Sequence, residues 1–234
     1  MDIPKEALDA YTHALKAIEN RAISVHSKVA YVLDANVGMD EELYKQALRN
    51  VSSTLADKYS KAAARVAARF ASVIYEADTG NAAAFDTVDV RASDALWHGI
   101  DWNLDREKVL ARATILIRSL IRRGARNTMI SATHDTGGKW ARIPQGDKTC
   151  AFCMILASHG FYYRSEETAG GGASRDRFHN DCDCLVIPTW SAHCSVAGYD
   201  PEMYEDMYRA AKNKANTTDL NIVTSVMRSM YGVK

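Results

Sequence analysis

Four of the five cysteines in this 234-residue sequence lie within one stretch of 35 residues, together with a histidine. Cys150 and Cys153 form a Cys-x-x-Cys pair, and His179, Cys182 and Cys184 form a His-x-x-Cys-x-Cys motif 25 residues later. A tight turn at the first pair presents two thiolates to one tetrahedral ion, and the second motif can supply the remaining ligands. The spacing therefore predicts a structural Zn²⁺ site. Five candidate ligands exceed four coordination positions, and the sequence does not choose between Cys182 and Cys184.

Two other uses of clustered cysteines are weaker. A disulfide framework fits poorly with an odd number of cysteines that are concentrated in a small part of a long chain. A redox-active Cys-x-x-Cys pair would have to open a helix after a strand, and the His-x-x-Cys-x-Cys motif would then have no role.

A catalytic metal is also disfavoured. Hydrolytic and deaminase zinc sites need three protein ligands, an open position for water and a carboxylate placed as general base. The sequence contains neither His-Glu-x-x-His nor His-x-Glu with Pro-Cys-x-x-Cys, and Glu166 and Glu167 lie in a glycine-rich segment between the two ligand motifs. We expect a closed site dominated by cysteine, and no catalytic residue is predicted.

The composition predicts a folded and mainly helical chain. Basic and acidic residues number 29 each, 47% of the residues are apolar, and only four are proline. No stretch approaches the roughly 18 uncharged apolar residues of a membrane span. The sequence opens with Met1-Asp2-Ile3-Pro4-Lys5, which does not match an export leader, so we expect no membrane contact and no export.

Residues 1–80 predict a long helical hairpin. In the first helix, steps of three and four residues define one apolar edge: Leu8, Tyr11, Leu15, Ile18, Ala22, Val25, Val29 and Val32. After a break at 36–38, Asp40 is a candidate N-cap of a second helix that ends near 78–80. Its apolar residues follow an eleven-residue period: Tyr44, Leu48, Val51, Leu55, Tyr59, Ala62, Val66, Phe70, Val73 and Ala77. The hairpin could pack internally or serve as an arm that binds a partner.

Residues 81–137 predict a connector with a short helix, followed by a basic amphipathic helix from Asp105 to about His134. Between 106 and 126 there are seven Arg or Lys residues and one Glu. On a helical projection six cations share one side: Lys108, Arg112, Arg118, Arg122, Arg123 and Arg126. This stripe could contact DNA phosphates or an acidic protein, although a solvated helix face that pairs with acidic neighbours is the commoner outcome.

Residues 138–190 predict a small β unit stabilised by the zinc ion. Strands are expected at 139–144, 161–163 and 184–188, with a helical turn at 154–158, and His159 is read as a helix cap and not as a ligand. Residues 191–234 predict a C-terminal helical module, with one helix opening at Asp200-Pro201 and another near Thr217 or Thr218. The fold class is mainly α with a small zinc-stabilised β unit.

These motifs resemble the phage Mu F-like head morphogenesis, or minor capsid, proteins. The likeness covers roughly residues 120–190 and rests on Arg126-Asn127-Thr128, Trp140, Asp147-x-x-Cys150-x-x-Cys153, Gly160 followed by aromatic residues, and Phe178-His179-x-x-Cys182-x-Cys184. The family usually has a proline between the histidine and the first of the last two cysteines, where this sequence has Asn180-Asp181. The resemblance implies a non-enzymatic protein inside the phage head that associates with the portal and with other capsid or scaffold proteins. It would be present in the host cytoplasm during assembly, and would act in head assembly or in DNA packaging and delivery.

The rival hypothesis is an enzyme, either a capsid maturation protease or a nuclease, with the zinc site as support. A protease needs a nucleophile beside a base and an oxyanion donor. His193 and Cys194 form the one pair of this kind outside the cysteine cluster, but neighbours in sequence usually point apart and no nucleophile-elbow motif surrounds them.

Overall fold

The computed structural model describes residues 2–36, 38–145, 149–164 and 182–234. This part of the chain contains seven helices: α1 (Lys5–Ala35), α2 (Glu41–Thr79), α3 (Ala92–Gly99), α4 (Arg106–Thr136), α5 (Ala151–Ala157), α6 (Pro201–Ala215) and α7 (Leu220–Tyr231). It also contains four short strands: β1 (Asp2–Ile3), β2 (Lys139–Ile143), β3 (Leu185–Thr189) and β4 (Ser195–Val196). Among the described helices, none combines the length and the hydropathy that crossing a lipid bilayer requires. The prediction of a mainly helical chain with a small β component is confirmed.

Aspartate caps begin three of the helices at the places that the sequence predicts. Asp40 accepts hydrogen bonds from the backbone N–H groups of Glu42 (2.9 Å) and Leu43 (3.3 Å). Asp105 and Asp200 make the same kind of contact at the starts of α4 and α6. Each cap satisfies N–H groups that have no partner within the helix.

The chain divides into two compact units, and each combines segments that are distant in sequence. The helical unit consists of residues 9–70 and 84–128, and the mixed unit consists of residues 1–8, 71–83 and 129–234. The division into segments 1–80, 81–137, 138–190 and 191–234 describes the order of elements along the chain, and as a division into domains it stays a prediction.

In the helical unit, α1, α2 and α4 pack around a core that includes buried polar side chains. Tyr11 of α1 stacks on Phe70 of α2 with ring centroids 4.5 Å apart, and His26, later in α1, contacts Ser52, earlier in α2, so these two helices run antiparallel. His26 is fully buried, and its Nε2 lies 2.9 Å from the Ser52 hydroxyl of α2. The predicted helical hairpin is therefore present, and it packs against α4 as well.

The predicted apolar edge of α1 is wrong beyond Ala22, which is buried as predicted. Val25 and Val29 are only partly buried and Val32 is 67% exposed. The buried line passes instead through Glu19, Ala22, His26 and Ala30. A straight helix of 3.6 residues per turn drifts away from a strict seven-residue repeat, so its buried face moves around the cylinder over four heptads.

The buried face of α2 differs in a similar way from the predicted one. Tyr44, Leu48, Leu55 and Phe70 are buried as expected, but Val73 is 53% exposed. Besides Lys45 and Ile74, small residues fill the rest of the buried face: Ser52, Ala56, Ser60, Ala63, Ala64, Ala67, Ala68 and Ala71. They allow close packing of helices, and α4 approaches so closely at Gly124 that a Cβ there would lie 2.6 Å from the carbonyl oxygen of Ser60.

In the mixed unit, β2 pairs antiparallel with β3 and carries the indole of Trp140 and the side chain of Arg142 fully buried. The end of α2 is fixed to this hairpin, because the Asp78 carboxylate accepts hydrogen bonds from the Trp190 backbone N–H (2.7 Å) and the Thr189 hydroxyl (2.9 Å). A second sheet, in which β1 pairs parallel with β4, was not predicted.

Two expectations for this unit need correction. Residues 161–163 do not form a strand: a turn follows Gly160, which has a positive φ of 61°, and only Tyr163 makes an isolated bridge to Trp140. Helix α7 begins at Leu220, two residues after Thr218 in the predicted start near Thr217 or Thr218, because Asp219 is the N-cap and the Thr217 hydroxyl accepts a hydrogen bond from the Asp219 backbone N–H.

Candidate metal centre

The β2–β3 hairpin brings the two cysteine motifs together. Its register pairs Ile143, the last residue of β2, with Leu185, the first residue of β3. Cys184 immediately precedes Leu185, so it lies at the same end of the hairpin as the chain that leaves β2 towards Cys150. The antiparallel pairing therefore explains why residues some thirty positions apart in sequence meet.

The first cysteine pair lies at the start of α5. Cys150 is the N-cap residue, with an extended backbone, and its Sγ accepts a hydrogen bond from the backbone N–H of Cys153 at 3.1 Å. Cys153 lies in the first turn of the helix, three residues after Cys150. The tight turn that the Cys-x-x-Cys spacing predicts is thus the first turn of helix α5.

Cys153, Cys182 and Cys184 form a compact sulfur cluster. Their Sγ atoms all lie within 4.8 Å of one another, and the Sγ atoms of Cys153 and Cys182 are 3.5 Å apart. In a tetrahedral zinc site with Zn–S bonds of about 2.3 Å, neighbouring sulfurs are about 3.8 Å apart. The three side chains thus lie close enough to bind one metal ion.

The cluster is closed to solvent. Cys153 is 0% exposed and Cys182 and Cys184 are 1% exposed, while Cys150 is partly buried and packs against them. Hydrogen bonding to Cys150, Cys182 and Cys184, together with burial, raises the pKa of the Cys153 thiol. Such a thiol keeps its proton at neutral pH until a cation replaces it, so metal binding here would release protons.

The opposite side of α5 belongs to the core of the mixed unit. Ala151, Met154 and Ile155 pack against Val223 and Met227 of α7, and the same core includes residues of α6. Tyrosine, methionine and valine side chains of α6 and α7 supply much of this packing: Tyr204, Met207, Tyr208, Val223, Met227 and Met230. Helix α5 thus connects the sulfur cluster to the C-terminal helices.

All five cysteines are among the described residues, and none forms a disulfide. The Cys-x-x-Cys pair does begin a helix, as a redox pair would. Cys182 and Cys184 nevertheless lie beside Cys153 and belong to the same sulfur cluster, which a redox pair alone does not explain. His179, Glu166 and Glu167 lie outside the described residues.

His159 has a structural contact, although it is not the cap of α5. That position is Ser158, and the Nδ1 of His159 lies 2.9 Å from the hydroxyl of Tyr163. The same hydroxyl donates a hydrogen bond to the carbonyl oxygen of Leu156 at 2.7 Å, and burial raises the pKa of Tyr163. These contacts hold the turn after α5 against the hairpin.

The predicted basic stripe of α4 is divided by packing in the helical unit. Arg126 is buried and Arg123 is partly buried. Arg122 makes two hydrogen bonds of 2.8 Å to the carboxylate of Glu19 on α1. Only Lys108, Arg112 and Arg118 of the six are exposed, and Lys108 pairs with Asp105 at 2.6 Å. A continuous six-residue cationic face is therefore absent from this described helix.

His193 and Cys194 lie beside β4 and line a groove of about 490 Å³ with Phe161 and Tyr199. The Cys194 thiol donates a hydrogen bond to the carbonyl oxygen of Ser195 at 3.7 Å. Burial is the main cause that raises the pKa of this thiol. A raised pKa reduces the thiolate fraction that a cysteine nucleophile needs.

Comparison with known proteins identifies phage relatives. The model of the VG15 protein family matches residues 2–211. The Gene 15 protein of Mycobacterium phage D29 is 28% identical over 103 residues, an alignment that covers 32% of this chain and 38% of that protein. The chain therefore covers well under half the length of this curated relative. No solved structure matches significantly. Neither match names the phage Mu F-like family, so that narrower resemblance stays a prediction.

Proposed function

Because the chain belongs to the VG15 protein family, we propose that it is a phage minor capsid or head morphogenesis protein that binds other proteins and catalyses no reaction. The family match supports the phage role, and the buried cysteine cluster is the observation that supports the absence of catalysis. Its closed, sulfur-rich environment suits a metal that stabilises a fold, since a catalytic zinc needs an open position for water.

The proposed metal is Zn²⁺, held by Cys153, Cys182 and Cys184 together with a fourth ligand. Cys150 is a suitable fourth ligand because it packs against the other three and its Sγ already faces the Cys153 amide. His179 is the alternative from the sequence motif. The ion would join α5 to the β2–β3 hairpin, which pairs only five residues on each strand and is too small to be stable alone.

The chemistry of the remaining candidate residues supports a non-enzymatic role. Cys194 has a raised pKa and hydrogen bonds to a neighbouring carbonyl group. A cysteine protease nucleophile is instead activated by a lowered pKa or by an adjacent base. A capsid maturation protease or a nuclease is therefore the second candidate.

The proposed partners are the portal protein and other capsid or scaffold proteins, and the proposed location is the interior of the phage head, after assembly in the host cytoplasm. The long helices of the helical unit are the surface that we propose for these contacts. Among the cations of α4, Lys108, Arg112 and Arg118 are exposed, so DNA contact through this helix stays a prediction for these three.

Metal analysis tests the site directly. We expect one zinc ion per purified chain by elemental mass spectrometry, and loss of most of it in Cys153→Ser. Cys194→Ser is the matched control because it removes a cysteine outside the cluster, and it should keep its zinc. A native chain without bound metal would refute the zinc site.

Partner and enzyme assays separate the two candidate functions. Co-expression with the portal protein of the same phage should yield a complex that survives purification, and the absence of a complex would count against the portal role. Incubation with scaffold protein, or with DNA and Mg²⁺, should leave both substrates intact. Processing that depends on His193 or Cys194 would establish the protease instead.

A further inference from the structure

The tip of the α1–α2 hairpin exposes three large apolar side chains. Tyr31 is 75% exposed, Val32 is 67% exposed and Leu43, in the first turn of α2, is 54% exposed. The segment from 31 to 43 also contains four acidic residues and neither Lys nor Arg. We call Tyr31, Val32, Asp34, Glu42 and Leu43 the acidic tip. An apolar centre with acidic neighbours fits a surface that is apolar and basic.

The exposed side of α4 has the complementary chemistry. Between 108 and 118 the exposed residues are Ala111, Arg112, Ile115, Arg118 and Lys108, which pairs with Asp105, and this segment contains no acidic residue. Ile115 is 37% exposed and lies between the two arginines. Over ten residues this basic face extends about 15 Å along the helix.

The two surfaces lie at the same end of the helical unit. Arg106, at the start of α4, hydrogen bonds to Glu41 at 2.7 Å and to the carbonyl oxygen of Met39 at 2.9 Å, which places the start of α4 beside the turn between α1 and α2. Two copies related by a two-fold axis could therefore make the same contact twice, with each tip on the basic face of the other copy.

We propose that the acidic tip binds the basic face of α4 in a second copy of this chain, so that the protein forms a two-fold dimer through its helical units. The apolar residues of the tip cover Ile115 and Ala111, and Asp34 and Glu42 face Arg112 and Arg118. DNA fits this basic face less well because a phosphate backbone offers no apolar partner for Ile115.

Charge reversal tests the dimer. The face variant is Arg112→Glu with Arg118→Glu, and the tip variant is Asp34→Lys with Glu42→Lys. In sedimentation equilibrium we expect the wild type to dimerise with rising concentration and each variant to remain monomeric. An equimolar mixture of the two variants should dimerise again. In the mixed dimer the lysines of the tip variant meet the glutamates of the face variant, and the unchanged acidic tip of the face variant meets the unchanged basic face of the tip variant.

Two controls keep the result specific. Lys58→Glu with Arg65→Glu reverses two exposed cations of α2 in the same unit and should leave dimerisation unchanged. Burial, and then the nearby Asp34 carboxylate, raise the pKa of the Tyr44 hydroxyl, so Asp34→Lys also alters the surroundings of Tyr44. Tyr31→Ser with Val32→Ser therefore serves as a second tip variant that keeps Asp34. Thermal unfolding confirms that each variant is folded.

Three results would overturn the proposal. The wild type could remain monomeric at every concentration, both reversed variants could dimerise like the wild type, or their mixture could remain monomeric. A monomeric wild type whose binding to duplex DNA is lost in the face variant would assign the basic face to DNA. Because these outcomes concern only self-association, they are independent of the portal and zinc assays.

Discussion

At the scale of single residues, His26 makes the stability of the helical unit depend on pH. Burial lowers its pKa to about 4, against an ordinary value of 6.5. Ser52 donates its hydroxyl hydrogen to the Leu48 carbonyl oxygen at 2.6 Å, so the Nε2–H of the neutral His26 ring donates to the Ser52 hydroxyl oxygen at 2.9 Å. The stabilisation by neutral His26 is complete above about pH 6.5 and is lost as the pH falls towards 4, by up to about 3 kcal/mol.

Replacement of His26 by glutamine isolates this effect. The variant should be less stable than the wild type at pH 7, because an amide fills the site less well, but its unfolding free energy should change less between pH 7 and pH 4.5. Urea unfolding at a series of pH values measures the difference. His13→Gln, an exposed position on the same helix, is the control and should keep the wild-type dependence. Equal slopes for all three proteins would contradict the assignment.

Sequence patterns predicted some of these residues and missed others for a physical reason. The cysteines could be found because metal ligation needs specific atoms at short spacing, and Cys153, Cys182 and Cys184 do meet. His26 and Glu19 were missed because polar residues interrupt an apolar pattern, and only their partners show why they are buried. Ser52 and Arg122 supply those partners from other helices, and no local pattern identifies a contact between residues 103 positions apart.

At the scale of elements, the contact between α2 and α4 depends on one glycine. A Cβ at position 124 would lie 2.6 Å from the Ser60 carbonyl oxygen, which is backbone and cannot move aside alone. Gly124→Ala should therefore separate the two helices and destabilise the protein by about 1 to 3 kcal/mol, although alanine favours the helix itself.

Chemical denaturation measures this cost against a matched control. Gly38→Ala adds the same methyl group where no atom lies within 4 Å of the new Cβ, so its unfolding free energy should stay within about 0.5 kcal/mol of the wild type. If Gly124→Ala is as stable as Gly38→Ala, the close approach of α2 and α4 is not required.

Element boundaries were predictable where capping chemistry fixes them. Asp40, Asp105 and Asp200 each cap the helix assigned to them, because a carboxylate that accepts N–H groups two or three residues later is a local feature of sequence. Buried faces were less predictable, because the apolar period alone does not say which neighbour a long helix meets. Val32 and Val73 follow the apolar pattern and yet are exposed.

At the scale of the whole molecule, the order of elements followed from the sequence but their grouping did not. The hairpin, connector, basic helix, β unit and C-terminal helices occur in the predicted order. Helices α2 and α4 nevertheless each contribute residues to both compact units. The apolar pattern of a helix continues unbroken past the residue at which the helix changes packing partners. The sequence therefore does not reveal the boundary between the two units.

Metal removal should affect these units unequally. The sulfur cluster joins α5 to the β2–β3 hairpin within the mixed unit, while the helical unit has a core of its own. A strong chelator should therefore raise amide hydrogen exchange in β2, α5 and β3, because binding energy at a structural metal site is folding energy. Exchange in residues 9–35 and 106–128 should change little, and most of the helical circular dichroism should remain.

Cys194→Ser should respond like the wild type, whereas Cys153→Ser should show fast exchange before chelation. Unchanged exchange in the hairpin after complete loss of metal would show that the cysteine cluster packs as a core without help from an ion.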